Sequence, residues 1–396
     1  MAKPPRIAFF PDAYDETNGV ARTSRALVAE AASRRLPLLC VRAGASTRTV
    51  CGDGDGGHLE LARGPASFAI EHDLRHDLLL WRHYGRVVRA VDAFGADLVH
   101  VTGPSDIGQL GAVVAHRLGL PLVASWHTNL HEFVARRVET YLALVPSNTR
   151  RGIVRRLEQG ALWATLQFYR QADVLLAPNG ELAGFLRRAL GKPTYLMRRG
   201  VDTVLFSPGR RDVRDGPFRL GFVGRLSREK NVRMLPGIER ALVAAGYSNF
   251  RFHIVGEGGE RAWLEREMPR ADFAGVLHGD ALARAYANMD LLVFPSETDT
   301  FGNVVQEALA SGTPALVSGK GGPRFIVRQG VSGYVACDER GFVDVAIRAM
   351  ADRLTHDRMR RSARRQALDA SWGRVLDEVS EAYAAAVGHR EARRAS

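Results

Sequence analysis

The sequence predicts two α/β domains, each built on a mostly parallel sheet with helices on both faces. Three observations lead there. The 396-residue chain is too long for one ordinary core, and two domains of roughly 150–200 residues are the natural division. Short apolar runs alternate with amphipathic stretches, the rhythm of strand–helix–strand units. A single segment, GVDTVLFSPGRRDVRDGP (200–217), concentrates Gly, Pro and charge just before a fresh strand, and so reads as the interdomain connection. The expected division is residues 1–199, residues 200–370, and a C-terminal helix with a frayed basic tail at 371–396.

In the first half, RIAFF (6–10), LPLLCV (36–41), DLVHV (97–101), PLVASW (121–126) and DVLLAP (173–178) read as buried strands. Helical patterns at Ser24–Ser33 and Gly108–Leu118 lie between them. FRLGFVG (218–224), FRFHIVG (250–256), DLLVFPS (290–296) and TPALVS (313–318) repeat the pattern in the second half. Helices at 231–245, 260–268, 281–288 and 302–311 fit between them. Sheets of this kind bind ligands beyond the carboxyl ends of their strands, so the two domains are expected to face each other across a ligand cleft.

Composition narrows the classes. Apolar content of 46% and charged content of 25% suit a globular protein. Cys40, Cys51 and Cys337 are far apart, with no CxxC and no Cys/His cluster, which argues against a disulfide framework or a structural zinc and suits a reducing cytoplasm. The opening MAKPPRIAFFPD has too short an apolar stretch for a secretory signal, and no apolar run approaches the ~20 residues of a bilayer span. The expected location is cytoplasmic, at most peripheral at the inner membrane face. A net charge of +12 attracts polyanions. No zinc finger, RNP-like aromatic run or helix-turn-helix accompanies it, so nucleic acid is not the expected partner.

Chemistry concentrates after the strands. In FPSETDTFGNVVQEALASGTPALVS (294–318), a strand ends at Ser296 and a helix opens near Phe301–Gly302, where its amides suit a phosphate or sugar hydroxyl. Asp299 in the loop and Glu307 along the helix, eight residues apart, could line one donor pocket. In GFVGRLSREKNVRML (221–235), Arg225 and Lys230 follow a strand, where two cations can clamp a diphosphate and stabilise a leaving nucleotide. Taken alone, each has a blander explanation as a helix cap, a solvated helix position or a basic loop. In PDAYDETNGVART (11–23), Gly19 opens a helix where backbone can approach a ligand closely. This is not GxGxxG, so nicotinamide chemistry loses support. WHTNLHEF (126–133) places His127 at a strand end, with His131 four residues on. HExxH and a third ligand are absent, so His127 reads as a hydrogen-bonding group for substrate rather than a metal ligand. Asp53-Gly54-Asp55 is a literal DxD, but it sits in the glycine-rich CGDGDGGH with no strand leading in, and reads as a turn.

Together NGVART, WHTNLHEF, RRGVDTVLFSP, GFVGRLSREKN, TDTFGNVVQEALASG and GGPRFIVRQGVSGYVA, spread from residue 18 to 336, resemble the retaining GT-B glycosyltransferases of the "glycosyl transferases group 1" family. The similarity runs toward its GDP-mannose-dependent α-mannosyltransferases and its sulfoquinovosyl- and glycosyl-diacylglycerol synthases. The resemblance implies two Rossmann-like domains, with Arg225 and Lys230 on the donor diphosphate. It further implies Glu307, second acid of the family's EX7E pattern, on the ribose, and Asp299, in the first acid's place, on the sugar. Thr300, Phe301 and Gly302 join the donor site, His127 lies beside the reacting sugar, and Gly19 lies by the phosphates. No metal and no cofactor are implied. Two departures stand out: Asp299 is one methylene shorter than the usual Glu, and Phe325 occupies a position where many relatives carry an acid.

The expected activity is retaining hexosyl transfer from a nucleotide sugar, GDP-mannose ahead of a UDP-hexose, to a lipid or glycan hydroxyl. The alternatives are an inactive nucleotide-sugar-binding protein and a sugar-nucleotide epimerase. Two basic amphipathic stretches (68–94 and 136–163) are expected as domain helices with solvated Arg faces, and an anionic membrane surface is a second partner they could meet.

Overall fold

The computed structural model describes residues 4–16, 19–51, 56–65, 67–71, 74–127 and 147–395. Two compact units divide the chain: Met1–Arg198 with Val375–Ser396, and Arg199–Arg374. His131, the Asp53–Asp55 turn and residues 136–146 of the second basic stretch lie outside the described residues.

The first unit carries β1 (Ile7–Phe10), β2 (Leu38–Gly44), β3 (Arg48–Cys51), β4 (Gly57–Ala62), β5 (Ser67–Glu71), β6 (Leu74–Asp77), β7 (Leu98–Val101), β8 (Leu122–Ser125), β9 (Val174–Ala177) and β10 (Thr194–Leu196). Its main sheet runs β10-β9-β8-β7-β1-β2-β4-β3 and is parallel except at the β3–β4 edge; β5 and β6 form a separate antiparallel pair. Strands β1, β7, β8 and β9 are buried along their whole length, as a parallel sheet covered on both faces requires. One face packs Ala8, Phe10, Val99, Val101 and Ala124 into the unit's apolar cluster. The C-terminal helix Trp372–Ala395 buries Val375, Leu376, Val379, Ala382, Tyr383 and Ala386, a stripe at helical spacing. Tyr383 reaches His100 of β7, and Asp377 pairs with Arg34 beyond the Gly19–Ser33 helix, so this helix covers the other face.

In the second unit β11 (Phe218–Val223), β12 (Phe250–Val255), β13 (Asp272–Gly275), β14 (Leu291–Phe294), β15 (Ala315–Ser318) and β16 (Gly333–Ala336) form one all-parallel sheet, ordered β13-β12-β11-β14-β15-β16. Phe222 and Phe294 stack across its centre with ring centroids 6.0 Å apart. The connecting segment is pinned by buried charge: Arg211 donates to Asp290 at 2.7 Å, and Arg364 donates to the carbonyls of Thr203, Phe206 and Ala310.

Every expected strand is present; β2 starts two residues later than expected and runs three residues further, to Gly44, and the others are trimmed by one or two residues at their ends. The strands not anticipated are β3–β6, β10, β13 and β16. Most lie at sheet edges or in the small pair, where one face or one flank meets water and no continuous apolar run is needed; β13 alternates exposed and half-buried residues. Residues 68–94 are not one helix. They form the β5–β6 pair, a single turn at Leu80–His83, and a helix only from Tyr84 to Phe94. Among the described residues no helix is long and apolar enough to cross a membrane.

Because Phe222 is fully buried at the centre of the second sheet, Phe222→Ala is expected to cost about 3–5 kcal/mol. Urea denaturation of that unit, followed by near-UV circular dichroism, checks this; a loss under about 1 kcal/mol would contradict the packing described.

Candidate active site

A doubly wound sheet reverses direction once, and there the loops leaving two neighbouring strands turn to opposite faces and open a crevice. In the second unit the chain winds outward from β11 to β13, crosses back, and winds outward from β14 to β16. The reversal lies between β11 and β14. The loop after β11 carries Arg225 and Lys230, and the loop after β14 carries Asp299, Thr300 and Phe301. Lys230 Nζ donates to Asp299 Oδ1 at 2.7 Å, closing an ion pair directly over this reversal. Its partners are 19% and 21% exposed, within reach of a solute yet not fully solvated. Asp299 Oδ2 is buried with no hydrogen-bond partner among the described residues. Arg225 lies exposed on the same loop.

The Asn303–Ala310 helix opens at Gly302, whose φ of +102° excludes other residues without strain. The Asp299 carbonyl accepts from Gly322 N at 2.6 Å. A Cβ at Gly322 would collide with the Thr300 carbonyl, so the Gly319–Arg324 turn seats the Asp299 loop from below. Phe301 is buried and Thr300 half-buried. Glu307 is more enclosed than a cleft position suggests: it is 3% exposed, and its Oε2 accepts from the Tyr286 hydroxyl at 2.9 Å. Phe325 is exposed, with the Arg324 guanidinium 4.6 Å above its ring.

Arg199 was not singled out in the sequence, although it stands in the quoted RRGVD run. Its guanidinium lies 5.6 Å from the Phe301 ring centroid, and Gln306 Nε2 donates to its carbonyl at 2.9 Å. Burial lowers its pKa to about 10, against the charge of Asp299, so it stays cationic at neutral pH. Arg199 and Lys230 thus set two positive charges against one carboxylate, a local excess suited to a diphosphate.

Gly19 and His127 belong to the first unit. There the reversal lies between β1 and β7. Gly19 begins its helix beyond β1, half-buried. His127 follows β8, is 7% exposed, and faces Ser125 Oγ through Nε2 at 2.7 Å. Trp126 stacks on Tyr169 at 4.8 Å while the Tyr169 hydroxyl donates to the Ser125 carbonyl, which holds the end of β8 rigid. Asp12, directly after β1, is another group the sequence reading missed. Ser105 Oγ donates to it at 2.5 Å, and its amide donates to Thr102 Oγ1 at 2.7 Å. Burial, helped by the nearby Asp106 charge, pushes its carboxyl up to about 7 against these hydrogen bonds. Nothing in PDAYDET marked Asp12 over Asp15 or Glu16, because its environment comes from β7. Among the described residues no group of three or more His, Cys, Asp or Glu side chains could hold a metal ion.

Sucrose-phosphate synthase from Thermosynechococcus elongatus superposes on 99% of this chain and 100% of its own with a TM-score of 0.71 at 20% identity, and the fold is GT-B. Residues 217–352 match the family model described as glycosyl transferases group 1, and residues 17–205 match glycosyltransferase family 4. The chain is 36% identical over 320 residues to a GDP-mannose-dependent alpha-mannosyltransferase of Mycolicibacterium smegmatis, covering 78% of this chain and 79% of that one. It is 27% identical over 325 residues to the sulfoquinovosyl transferase SQD2 of Arabidopsis thaliana, covering 76% and 59%. The chain belongs to the glycosyl transferases group 1 family and is a glycosyltransferase.

An unfolded aspartate ionises near about 3.9, whereas folded Asp12 holds its proton to about pH 7. Its protonated form therefore favours the native state at low pH, and this contribution fades as pH rises from about 4 to about 7. Asp12→Asn, which cannot ionise, is expected to gain stability relative to the wild type between pH 5 and pH 8. Chemical denaturation at both values checks this, and a pH-independent difference would contradict the buried carboxyl.

Proposed function

We propose that this nucleotide-sugar-dependent hexosyltransferase moves mannose from GDP-mannose to a hydroxyl of a lipid or glycan acceptor with retention of anomeric configuration. The observation that carries the reading is the Lys230–Asp299 pair over the reversal of the second sheet. It sets a diphosphate-binding cation and a sugar-binding carboxylate side by side, where an open sheet receives its ligand. The mannosyl donor is favoured by the 36% identical GDP-mannose-dependent relative, and a lipid acceptor by the sequence resemblance to the glycosyl-diacylglycerol synthases.

In this reading Lys230 and Arg225 hold the diphosphate. Lys230 has three N–H donors, so it can keep its bond to Asp299 while donating another to a phosphate oxygen. Asp299 then accepts from sugar hydroxyls, and Thr300, Phe301 and Gly302 present backbone at the start of the Asn303–Ala310 helix. Glu307, held by Tyr286, accepts from the ribose hydroxyls. Gly19 approaches the phosphates, and His127 stands beside the sugar. The acceptor hydroxyl oxygen bonds to the anomeric carbon on the face the leaving group departs from. The bond to the phosphate oxygen breaks, and that oxygen takes the hydroxyl proton. Negative charge grows on the diphosphate as this happens, and Lys230, Arg225 and the buried Arg199 stabilise it.

Calorimetric and thermal-shift titration with GDP, UDP, ADP and their sugars tests the donor. Selective stabilisation by GDP and GDP-mannose is expected, about 2.7 kcal/mol at a hundred times the dissociation constant. Selectivity for UDP would replace the donor, and no nucleotide binding would overturn the site. Lys230→Ala and Glu307→Gln are each expected to lower kcat/KM at least about 100-fold without shifting the melting temperature by more than a few degrees. Activity within a factor of about two of the wild type in either variant would remove that residue from the site.

A further inference from the structure

His127 ends a line of four hydrogen-bonding side chains that starts on the C-terminal helix. The Tyr383 hydroxyl lies 2.8 Å from His100 Nδ1, His100 Nε2 lies 3.0 Å from Ser125 Oγ, and Ser125 Oγ lies 2.7 Å from His127 Nε2. Strand geometry sets the line. His100 on β7 pairs in register with Val123 on β8. Residues two apart on a strand share a face, so Ser125 continues along the face that His100 occupies, and His127, just beyond the strand's end, turns its Nε2 to Ser125 Oγ. Tyr383 comes to that face from the helix covering it. All four side chains belong to one unit and all are buried.

The hydrogens in this line have one good arrangement. His100 has its pKa lowered to about 3 by burial, so its ring is neutral and has one donor and one acceptor nitrogen. The Tyr383 hydroxyl has no other hydrogen-bond partner among the described residues. Its hydrogen is satisfied only if it donates to His100 Nδ1. His100 must then carry its hydrogen on Nε2 and donate to Ser125 Oγ. Ser125 has one hydrogen and two candidate acceptors: His127 Nε2 at 2.7 Å and the Val101 carbonyl at 3.5 Å. The first is an ordinary hydrogen-bond distance and the second lies outside the usual range for a hydroxyl donor. Ser125 therefore donates to His127 Nε2. Reversing the line would leave the buried Tyr383 hydrogen unsatisfied.

We infer that Tyr383, His100 and Ser125 are positioning residues that fix the tautomer of His127, holding its Nε2 as an acceptor and its proton on Nδ1. A histidine set in this way acts as an oriented hydrogen-bond donor through Nδ1 rather than as a proton acceptor at Nε2. Its use in catalysis rests on the placement of His127 beside the reacting sugar; the tautomer itself does not.

Long-range 1H–15N correlation spectra of protein labelled with 15N-histidine test this without substrate, with His127→Asn and His100→Asn used to assign the two rings. The wild type is expected to show His127 in the Nδ1–H form and His100 in the Nε2–H form. Tyr383→Phe should release both rings into mixed tautomers, and it should lower kcat at least about tenfold while leaving the donor KM within a factor of about two. An Nε2–H form of His127 in the wild type, or an unchanged His127 in folded Tyr383→Phe, would overturn the relay. Should Tyr383→Phe fail to fold, Ser125→Ala cuts the line beside His127, and an unchanged His127 signal there overturns it equally. If the tautomers behave as expected but transfer is unaffected in Tyr383→Phe, the relay stands and the placement of His127 beside the sugar fails.

Discussion

The Lys230–Asp299 ion pair is the interaction around which the second unit's site is arranged. It depends on the sheet alone: parallel winding makes the loops after β11 and β14 leave toward opposite faces, and the two side chains meet over the gap between them. As a contribution to folding the pair is minor, since a partly exposed ion pair is worth about 0–1 kcal/mol. In the proposed site its value lies in leaving a cation and a carboxylate partly desolvated yet open enough to be reached, at 19% and 21% exposure. The surroundings support that balance. Gly322 seats the Asp299 loop by backbone contact, Gly302 turns it into the following helix, and Arg199 adds a buried positive charge beneath it.

The first unit handles polarity by a different route. Where the second unit gathers charge, the first neutralises it by burial. His100 is neutral, the Asp12 carboxyl holds its proton to about pH 7, and the Tyr169 phenol is pushed well above its ordinary value, in each case with desolvation as the leading cause. Such groups act through hydrogen bonds whose direction is set by neighbours, because a neutral donor or acceptor costs far less to bury than an ion.

Much of this was legible in the sequence, for a definite reason. Central parallel strands are buried on both faces and must be written as unbroken apolar runs, so IAFF, LVHV, LVAS, VLLA, LLVF and ALVS identify themselves. Lys230 and Asp299 could be proposed because each follows such a strand within a few residues. Edge strands such as β13 and β16 escaped, since an edge needs no such run. The stretch 68–94 was misread as a helix because its apolar and charged residues suit helical spacing as well as the β5–β6 pair that takes up its first part.

What the sequence determined by itself was local: which segments are strands, which loops follow them, and which side chains those loops carry. Tertiary structure decided everything that depends on residues far apart in the chain. It brought Lys230 to Asp299 across 69 positions and Tyr383 to His100 across 283, and it placed Arg199 beneath Phe301. It also decided that the Asp12 carboxyl holds its proton to about pH 7, because Thr102 and Ser105 from another strand's loop enclose it. Burial and hydrogen-bond direction arise from packing between elements, and no local pattern encodes them.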